Sequence, residues 1–141
     1  MKALKLGLII NPIAGIGGPT GLKGSDGVET IGEAFSRGGI KRIYERVEIV
    51  LSALGSFADK IELHTVPGPM GAELCEKLGW IIQVHEMAVP METTSSHTRE
   101  AVRLLQDANL DLLIFAGGDG TARDVLEDLK ESQSILGIPG G

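Results

Sequence analysis

Cysteine and basic residues are scarce in this sequence, and each shortage excludes a class of function. The 141 residues include one cysteine, Cys75, so the chain forms no internal disulfide and no cysteine-based metal cluster. Thirteen basic residues against nineteen acidic ones give a net charge of -6, and the basic residues form no run. Such a chain is poorly suited to bind nucleic acid or an anionic membrane surface. We therefore expect a soluble cytoplasmic protein with neither partner.

Long apolar segments are missing as well. The first apolar run stops at Asn11-Pro12, which leaves it too short for the apolar core of a signal peptide or for a membrane span. No repeat and no low-complexity linker divides the chain, and 141 residues is a usual size for one domain. We therefore predict that residues 1–141 form a single domain. Cys75 falls within a predicted amphipathic helix, which favours a buried structural thiol over a nucleophile.

Glycine, by contrast, is abundant. The chain contains 20 glycines in 141 residues, which is about twice the usual share of roughly 7%. They cluster between Gly15 and Gly39, again at Gly117–Gly120, and as a pair at the end. Glycine clusters usually mark turns or a close approach of the backbone to a ligand. The first cluster makes a long stretch between the first strand and the first helix, and such stretches are usually functional or disordered.

Apolar runs of strand length alternate with segments of helical period. The predicted strands are Leu4–Ile10, Ile61–Val66, Trp80–His85, Asp111–Ala116 and Ile135–Ile138. The predicted helices are a long one from Ile40 to Ala58, Met70–Leu78 ending at Gly79, one after the N-cap candidates Thr93–Ser96, and Thr121–Leu129. This alternation predicts an α/β fold with a doubly wound, mostly parallel sheet of about five strands and helices on both faces.

Three glycine-rich segments follow strand ends, and the carboxyl ends of parallel strands meet at one edge of a sheet. These segments are Asn11–Gly18, Gly117–Thr121 and Pro139–Gly141. Ligands of open α/β sheets bind outside the carboxyl ends of the strands, where the strand order reverses. We therefore predict that all three lie at the ligand-binding edge.

The segment Gly117–Thr121 carries the strongest chemical signal. A buried strand runs into two glycines, an acid, a third glycine and a hydroxyl at a predicted helix start. Glycines let backbone N–H groups face a phosphate, and the helix N-terminus adds positive potential. Thr121 could cap the helix or bond a phosphate oxygen. Asp119 could accept the proton of an attacking hydroxyl, help to hold Mg²⁺, or be a plain turn residue.

Two standard phosphate-binding motifs are absent. No Gly-Lys-Ser/Thr occurs, so the chain has no Walker A loop. The run from Gly15 to Thr20 places Thr where the dinucleotide fingerprint needs its third small residue. A P-loop ATPase and a standard Rossmann dehydrogenase are therefore both disfavoured.

The loops nevertheless have a family resemblance. Gly117–Thr121 after an apolar strand, with Asn11-Pro12 followed by Ala14-Gly15 after the first strand, resembles the NAD kinase and diacylglycerol/sphingosine kinase superfamily. The stretch from Gly17 to Gly27 and the ending Ile138–Gly141 are most similar to the branch of ATP-NAD kinase-like proteins. The resemblance covers the whole chain as that family's N-terminal domain.

This resemblance implies transfer of a phosphoryl group from ATP, or from polyphosphate, to the 2′-hydroxyl of NAD, with Mg²⁺ as the expected ion. It makes Asp119 the catalytic residue and proposed general base, and it assigns no protein metal ligand. The implied nucleotide-binding residues are Asn11, Gly15, Gly17, Gly18, Gly117, Gly118, Gly120 and Thr121. The expected partners are small-molecule nucleotides and further copies of the chain in a homo-oligomer.

Two features depart from the family pattern. Complete members continue into a β-rich C-terminal domain that supplies an Asn-Glu pair, so this chain is expected to carry only the N-terminal half of the site. The long Gly15–Gly39 stretch is not part of the ordinary NAD kinase pattern. The alternatives are a non-catalytic nucleotide-binding module and a lipid or small-alcohol kinase with the same loop.

Other polar residues give ambiguous signals. Lys23 and Arg123 could neutralise phosphate, but each also suits a solvated position. The hydroxyl residues at 93–95 could line the ligand-binding edge, although helix capping is the favoured role. His64 and His85 lie in predicted strands and are expected to be core or edge residues.

Overall fold

The chain forms a five-stranded parallel sheet in a computed structural model that describes residues 2–12 and 42–140. The strands are β1 (Leu4–Ile10), β2 (Ile61–Thr65), β3 (Ile82–Val84), β4 (Leu112–Gly117) and β5 (Ile135–Pro139). Their order is β3-β2-β1-β4-β5, and all four pairings are parallel. The predicted α/β class is confirmed, and the described sheet is wholly rather than mostly parallel.

Helices connect the strands. α1 is described over residues 42–54 and continues into a 3-10 turn at Gly55–Lys60. A second 3-10 turn, Gly68–Met70, precedes α2 (Ala72–Lys77), and α3 (Ser95–Gln106) and α4 (Asp119–Glu127) follow β3 and β4.

Each face of the sheet buries its own apolar cluster. On one face, Ile43, Val47 and Leu51 of α1 pack with Leu74 and Cys75 of α2 against the strands. On the other face, α3 and α4 contribute a second cluster that contains Ala101, Val102, Leu105 and Val125. Because side chains of a strand alternate between faces, the apolar strands supply both clusters. The prediction of helices on both faces is confirmed.

Several element boundaries differ from the predictions for local reasons. The predicted strand Trp80–His85 pairs only over Ile82–Val84, because the Trp80 amide bonds the Cys75 carbonyl instead of a strand. The predicted helix to Ala58 ends at residue 54, where Gly55, a poor helix former, begins the 3-10 turn.

The predicted helix Met70–Leu78 is also shorter than expected. Its start belongs to the Gly68–Met70 turn, and the α-helix begins only at Ala72. Its predicted end is confirmed, because Gly79 has a φ of 84°, a left-handed conformation that commonly terminates helices.

The strand order fixes where a ligand can bind. The chain builds β1, β2 and β3 outward in one direction and then crosses back to place β4 on the other side of β1. The carboxyl ends of β1 and β4 therefore flank the switch point, which is the usual ligand crevice of such sheets.

Candidate functional site

Two hydrogen bonds join the ends of β1 and β4 at this switch point. Asn11 follows β1, and its backbone N–H donates to the Ala116 carbonyl of β4 at 2.9 Å. Its side-chain Nδ2 donates to the Thr121 hydroxyl at 2.7 Å. The two sequence elements that carry the family resemblance are thus in direct contact.

The turn between β4 and α4 differs from the predicted one. Gly118 is the N-cap, with an extended backbone (φ -94°, ψ -161°), and the helix begins at Asp119. The prediction that α4 starts at Thr121 is therefore wrong, and Asp119 is the first residue of the helix. Thr121 lies inside the first turn and is 3% exposed, so it does not cap the helix. Its hydroxyl is instead held by Asn11.

Gly117 is required by this packing. A Cβ atom at Gly117 would lie 2.2 Å from the Thr121 hydroxyl oxygen, with two further Thr121 atoms closer than 3.0 Å. The last residue of β4 must therefore lack a side chain for the first turn of α4 to lie against it. Gly118 and Gly120 face open space, since a Cβ at either would meet no atom within 4 Å.

The N-terminus of α4 presents backbone donors at the same edge. The first intrahelical bond runs from the Ala122 amide to the Gly118 carbonyl at 3.0 Å. The amides of residues 119–121 precede it and therefore have no acceptor within the helix. Together with the helix dipole they make a suitable anion-binding position, and the two open glycines let a ligand approach closely.

Asp119 lies at the rim of a cleft of about 410 Å³ beside these amides. The described lining residues are Phe115, Gly117, Gly118, Asp119, Ala122, Gly137, Pro139 and Gly140. Asp119 is exposed, and no described side chain pairs with it. Asp119 is the one titratable residue among these described lining residues.

The end of β5 reaches the same edge. Pro139 pairs with Gly117, and the Gly140 amide donates to the Gly117 carbonyl at 3.1 Å. Arg46 of α1 donates from a guanidinium nitrogen to the Pro139 carbonyl at 2.6 Å. Arg46 could not be predicted from the sequence, because the helical period does not show which strand end a side chain will reach.

Some of the predicted site residues lie outside the part of the chain that the structure describes. Gly15, Gly17 and Gly18 lie outside the described residues, as does Lys23. Arg123 is exposed on α4.

One of the three hydroxyl residues at positions 93–95 has the favoured capping role. Thr94 is the N-cap, and a capping box links it to His97, with the Thr94 amide donating to His97 Nδ1 at 2.9 Å. Capping is therefore confirmed for Thr94.

The described residues can be tested for a fit to Mg²⁺. They contain no group of three or more His, Cys, Asp or Glu side chains that could hold a metal ion. Mg²⁺ usually binds one or two carboxylates, substrate phosphates and water. The lone Asp119 carboxylate beside an anion-binding helix terminus fits an ion that arrives with the nucleotide.

Cys75, His64 and His85 do not line the cleft beside Asp119. Cys75 is fully buried, and that burial raises the pKa of its thiol to about 12, which confirms the structural role. His64 is 6% exposed and forms a hydrogen bond with His85, as expected of core and edge residues.

A larger cleft, of about 580 Å³, lies at the opposite edge of the sheet, where Ile61, Trp80 and Gln83 contribute to its lining. We favour the smaller cleft as the functional one because it adjoins the switch point and the helix N-terminus. None of the described helices is long and apolar enough to span a membrane.

Comparison with known proteins finds one family. The model of the ATP-NAD kinase N-terminal domain family matches residues 6–141. No curated protein and no solved structure matches the chain. The family match spans nearly the entire sequence, including both loops that meet through Asn11 and Thr121. The chain therefore belongs to the ATP-NAD kinase N-terminal domain family.

Proposed function

We propose that this chain provides the nucleotide-binding edge and the general base for phosphoryl transfer from ATP, or polyphosphate, to the 2′-hydroxyl of NAD. The observation that carries the proposal is the hydrogen bond between Asn11 and Thr121, which joins both family loops at the switch point. The family supports a kinase-like, nucleotide-binding function in general. The proposal goes further than the family match by naming NAD as the acceptor and ATP as the donor.

In the proposed reaction, Asp119 accepts the proton of the 2′-hydroxyl. The freed oxygen forms a bond to the γ-phosphorus while the bond from that phosphorus to the bridging oxygen breaks. ADP leaves with the electron pair, and NADP is the product. Phosphoryl transfer depends mainly on positioning and charge neutralisation, so one carboxylate and backbone amides are a sufficient local contribution.

The phosphates would be held by the amides at the start of α4, with Gly117, Gly118, Gly120 and Thr121 shaping the turn. Mg²⁺, when bound with the nucleotide, would neutralise phosphate charge. We further propose that Asn11 and the glycines Gly15, Gly17 and Gly18 complete this binding edge.

Other groups must add to the site, since the described lining of the cleft contains no Lys or Arg. We propose that the chain acts as the N-terminal half of a two-domain site. We also propose that the protein works as a homo-oligomer, which light scattering on the purified full-length protein would test by giving a mass above that of one chain.

The sharpest test of the catalytic role is Asp119→Asn in the full-length protein. We expect NADP formation to fall by about 10²–10⁴-fold, because the amide cannot accept the proton. The melting temperature should stay unchanged, since Asp119 is exposed and pairs with no described side chain. NADP is measured by chromatography after incubation with NAD, ATP and Mg²⁺.

Glu127→Gln is the matched control. Glu127 also lies on α4, but at the far end, where it pairs with Arg99 at 2.6 Å. Its exposed ion pair should contribute little to stability, and we expect near wild-type NADP formation. Equal turnover by Asp119→Asn and Glu127→Gln would remove Asp119 from the reaction.

A further inference from the structure

The cleft beside Asp119 is open because position 137 of β5 carries no side chain. A Cβ atom at Gly137 would lie 2.9 Å from Cζ of Phe115, the tip of the ring. The ring edge therefore occupies the space above β5 that a side chain at 137 would fill. Phe115 and Gly137 are neighbours in the register of β4 and β5. The sequence alone does not show this pairing.

Phe115 belongs to a packed apolar cluster and also lines the cleft. On its inner side Phe115 packs within a cluster that contains Ile9, Leu113 and Val125, all fully buried. A close-packed protein interior cannot accept a displaced aromatic ring without strain. On its outer side Phe115 lines the cleft. Any side chain at 137 would therefore push the ring tip into the cleft.

The cleft combines two chemical surfaces. Phe115, Ala122 and Pro139 supply apolar lining, while the start of α4 supplies the backbone amides of residues 119–121 and Asp119 supplies one carboxylate at the rim. A volume of about 410 Å³ lies within the range of pockets for small ligands. A flat apolar ring joined to a hydroxyl-bearing sugar and a phosphate matches both surfaces at once.

We propose that Gly137 is a specificity-determining residue that keeps the cleft open for the base of the bound nucleotide. The base lies against Phe115 and Pro139, its sugar faces Asp119, and its phosphate reaches the start of α4. This inference rests on the proposal that the edge binds a nucleotide, but it does not require the edge to catalyse phosphoryl transfer. Under this inference the cleft distinguishes ligands by their base as well as by their phosphate.

Calorimetric titration of the full-length protein tests the inference with three probes: AMP, nicotinamide mononucleotide and inorganic pyrophosphate. Gly137→Ala should weaken binding of at least one mononucleotide about tenfold, the size expected for losing one base–aromatic contact. Pyrophosphate, which has no base, should bind within about twofold of wild type. The mononucleotide that is affected identifies the base, adenine or nicotinamide.

A second substitution tests whether the two residues act through the same contact. Phe115→Leu removes the aromatic ring, so it should weaken mononucleotide binding as Gly137→Ala does, and Gly137→Ala/Phe115→Leu should lose less than the sum of the two single losses. Gly137→Ala should still fold, because the atom it meets is the tip of a side chain that can rotate. Melting curves of all variants check this.

Three outcomes would overturn the inference. They are mononucleotide binding unchanged in Gly137→Ala, equal weakening of pyrophosphate and mononucleotides, and fully additive losses in the double variant. The NADP assay on the wild-type protein separates the two proposals. If Gly137→Ala has no base-selective effect while the wild-type protein forms NADP, the inference alone fails, whereas a base-selective effect in a protein that forms no NADP removes the kinase function alone.

Discussion

At the scale of single residues, the contact between Asn11 and Thr121 links distant parts of the sequence. The Thr121 hydroxyl is buried, and Asn11 donates to it across 110 positions of sequence. A buried hydroxyl that loses its partner costs about 1–3 kcal/mol. This bond therefore stabilises the fold while it holds the two loops at one edge.

A double-mutant cycle measures that link. Asn11→Ala should lower the free energy of unfolding by about 1–3 kcal/mol, because it leaves the Thr121 oxygen without this donor. Thr121→Val removes the hydroxyl and keeps the shape of the side chain. Since both changes break the same bond, the double variant should lose less than the sum of the two single losses. Strict additivity in chemical denaturation would show that the two side chains are not coupled.

Three titratable residues outside the lining of the proposed site form a chain of hydrogen bonds between β2 and the residue that follows β3. His64 Nδ1 lies 2.9 Å from His85 Nε2, and His64 Nε2 lies 3.1 Å from a Glu62 carboxylate oxygen. Burial, and then the neighbouring His64, lower the pKa of His85, while Asp107 acts in the opposite direction. The hydrogen bond between the two rings requires that one ring nitrogen carries a hydrogen and that the facing nitrogen accepts it.

Acidification should therefore weaken the fold through His85. Its pKa is lower in the folded chain than in the unfolded chain, so unfolding takes up a proton once the pH drops below about 6.5. The free energy of unfolding should fall as the pH is lowered from about 7 to 5. Urea denaturation across this range measures the slope. His85→Gln should flatten it, and an unchanged slope in that variant would assign the effect to other groups.

At the scale of elements, the turn from β4 to α4 contains glycines with different roles. Gly117 is enclosed by Thr121, whereas Gly118 faces open space with a backbone conformation that alanine can adopt. Gly117 is thus required for folding of the turn. Gly118 is expected to matter only when a ligand approaches the amides.

Substitution by alanine separates these roles. Gly117→Ala should destabilise the protein by about 1–3 kcal/mol, since it overpacks the buried Thr121. Gly118→Ala should keep the wild-type melting temperature and still weaken pyrophosphate binding. Thermal melting and calorimetry on the same two variants measure both effects. Full pyrophosphate affinity in Gly118→Ala would place the phosphate elsewhere.

The elements were largely predictable from the sequence, but their ends were not. β1 is an uninterrupted apolar run and was predicted with its observed bounds, Leu4–Ile10. The start of α4 was misplaced at Thr121, because a hydroxyl residue after glycine is typical of an N-cap. The structure uses the extended Gly118 instead, since Thr121 is engaged by Asn11 from another strand. Local pattern cannot report such a tertiary partner.

At the scale of the whole molecule, strand order determines which loops meet. The sequence predicted that three glycine-rich segments share the carboxyl edge, but it contained no information on which strands are neighbours. The order β3-β2-β1-β4-β5 brings Asn11 beside the β4 loop and places β5 next to it. The contributions of Arg46 and Gly137 depend on that order, so neither was predictable from sequence.

The acceptor decides which kinase this protein is, and a product assay identifies the acceptor. The full-length protein is incubated with ATP, Mg²⁺ and either NAD or diacylglycerol, and the products are identified by mass spectrometry. We expect NADP from NAD, loss of that product in Asp119→Asn, and no phosphorylated lipid. Phosphorylation of the lipid with NAD untouched, or binding of NAD with no turnover, would show that the protein is not an NAD kinase.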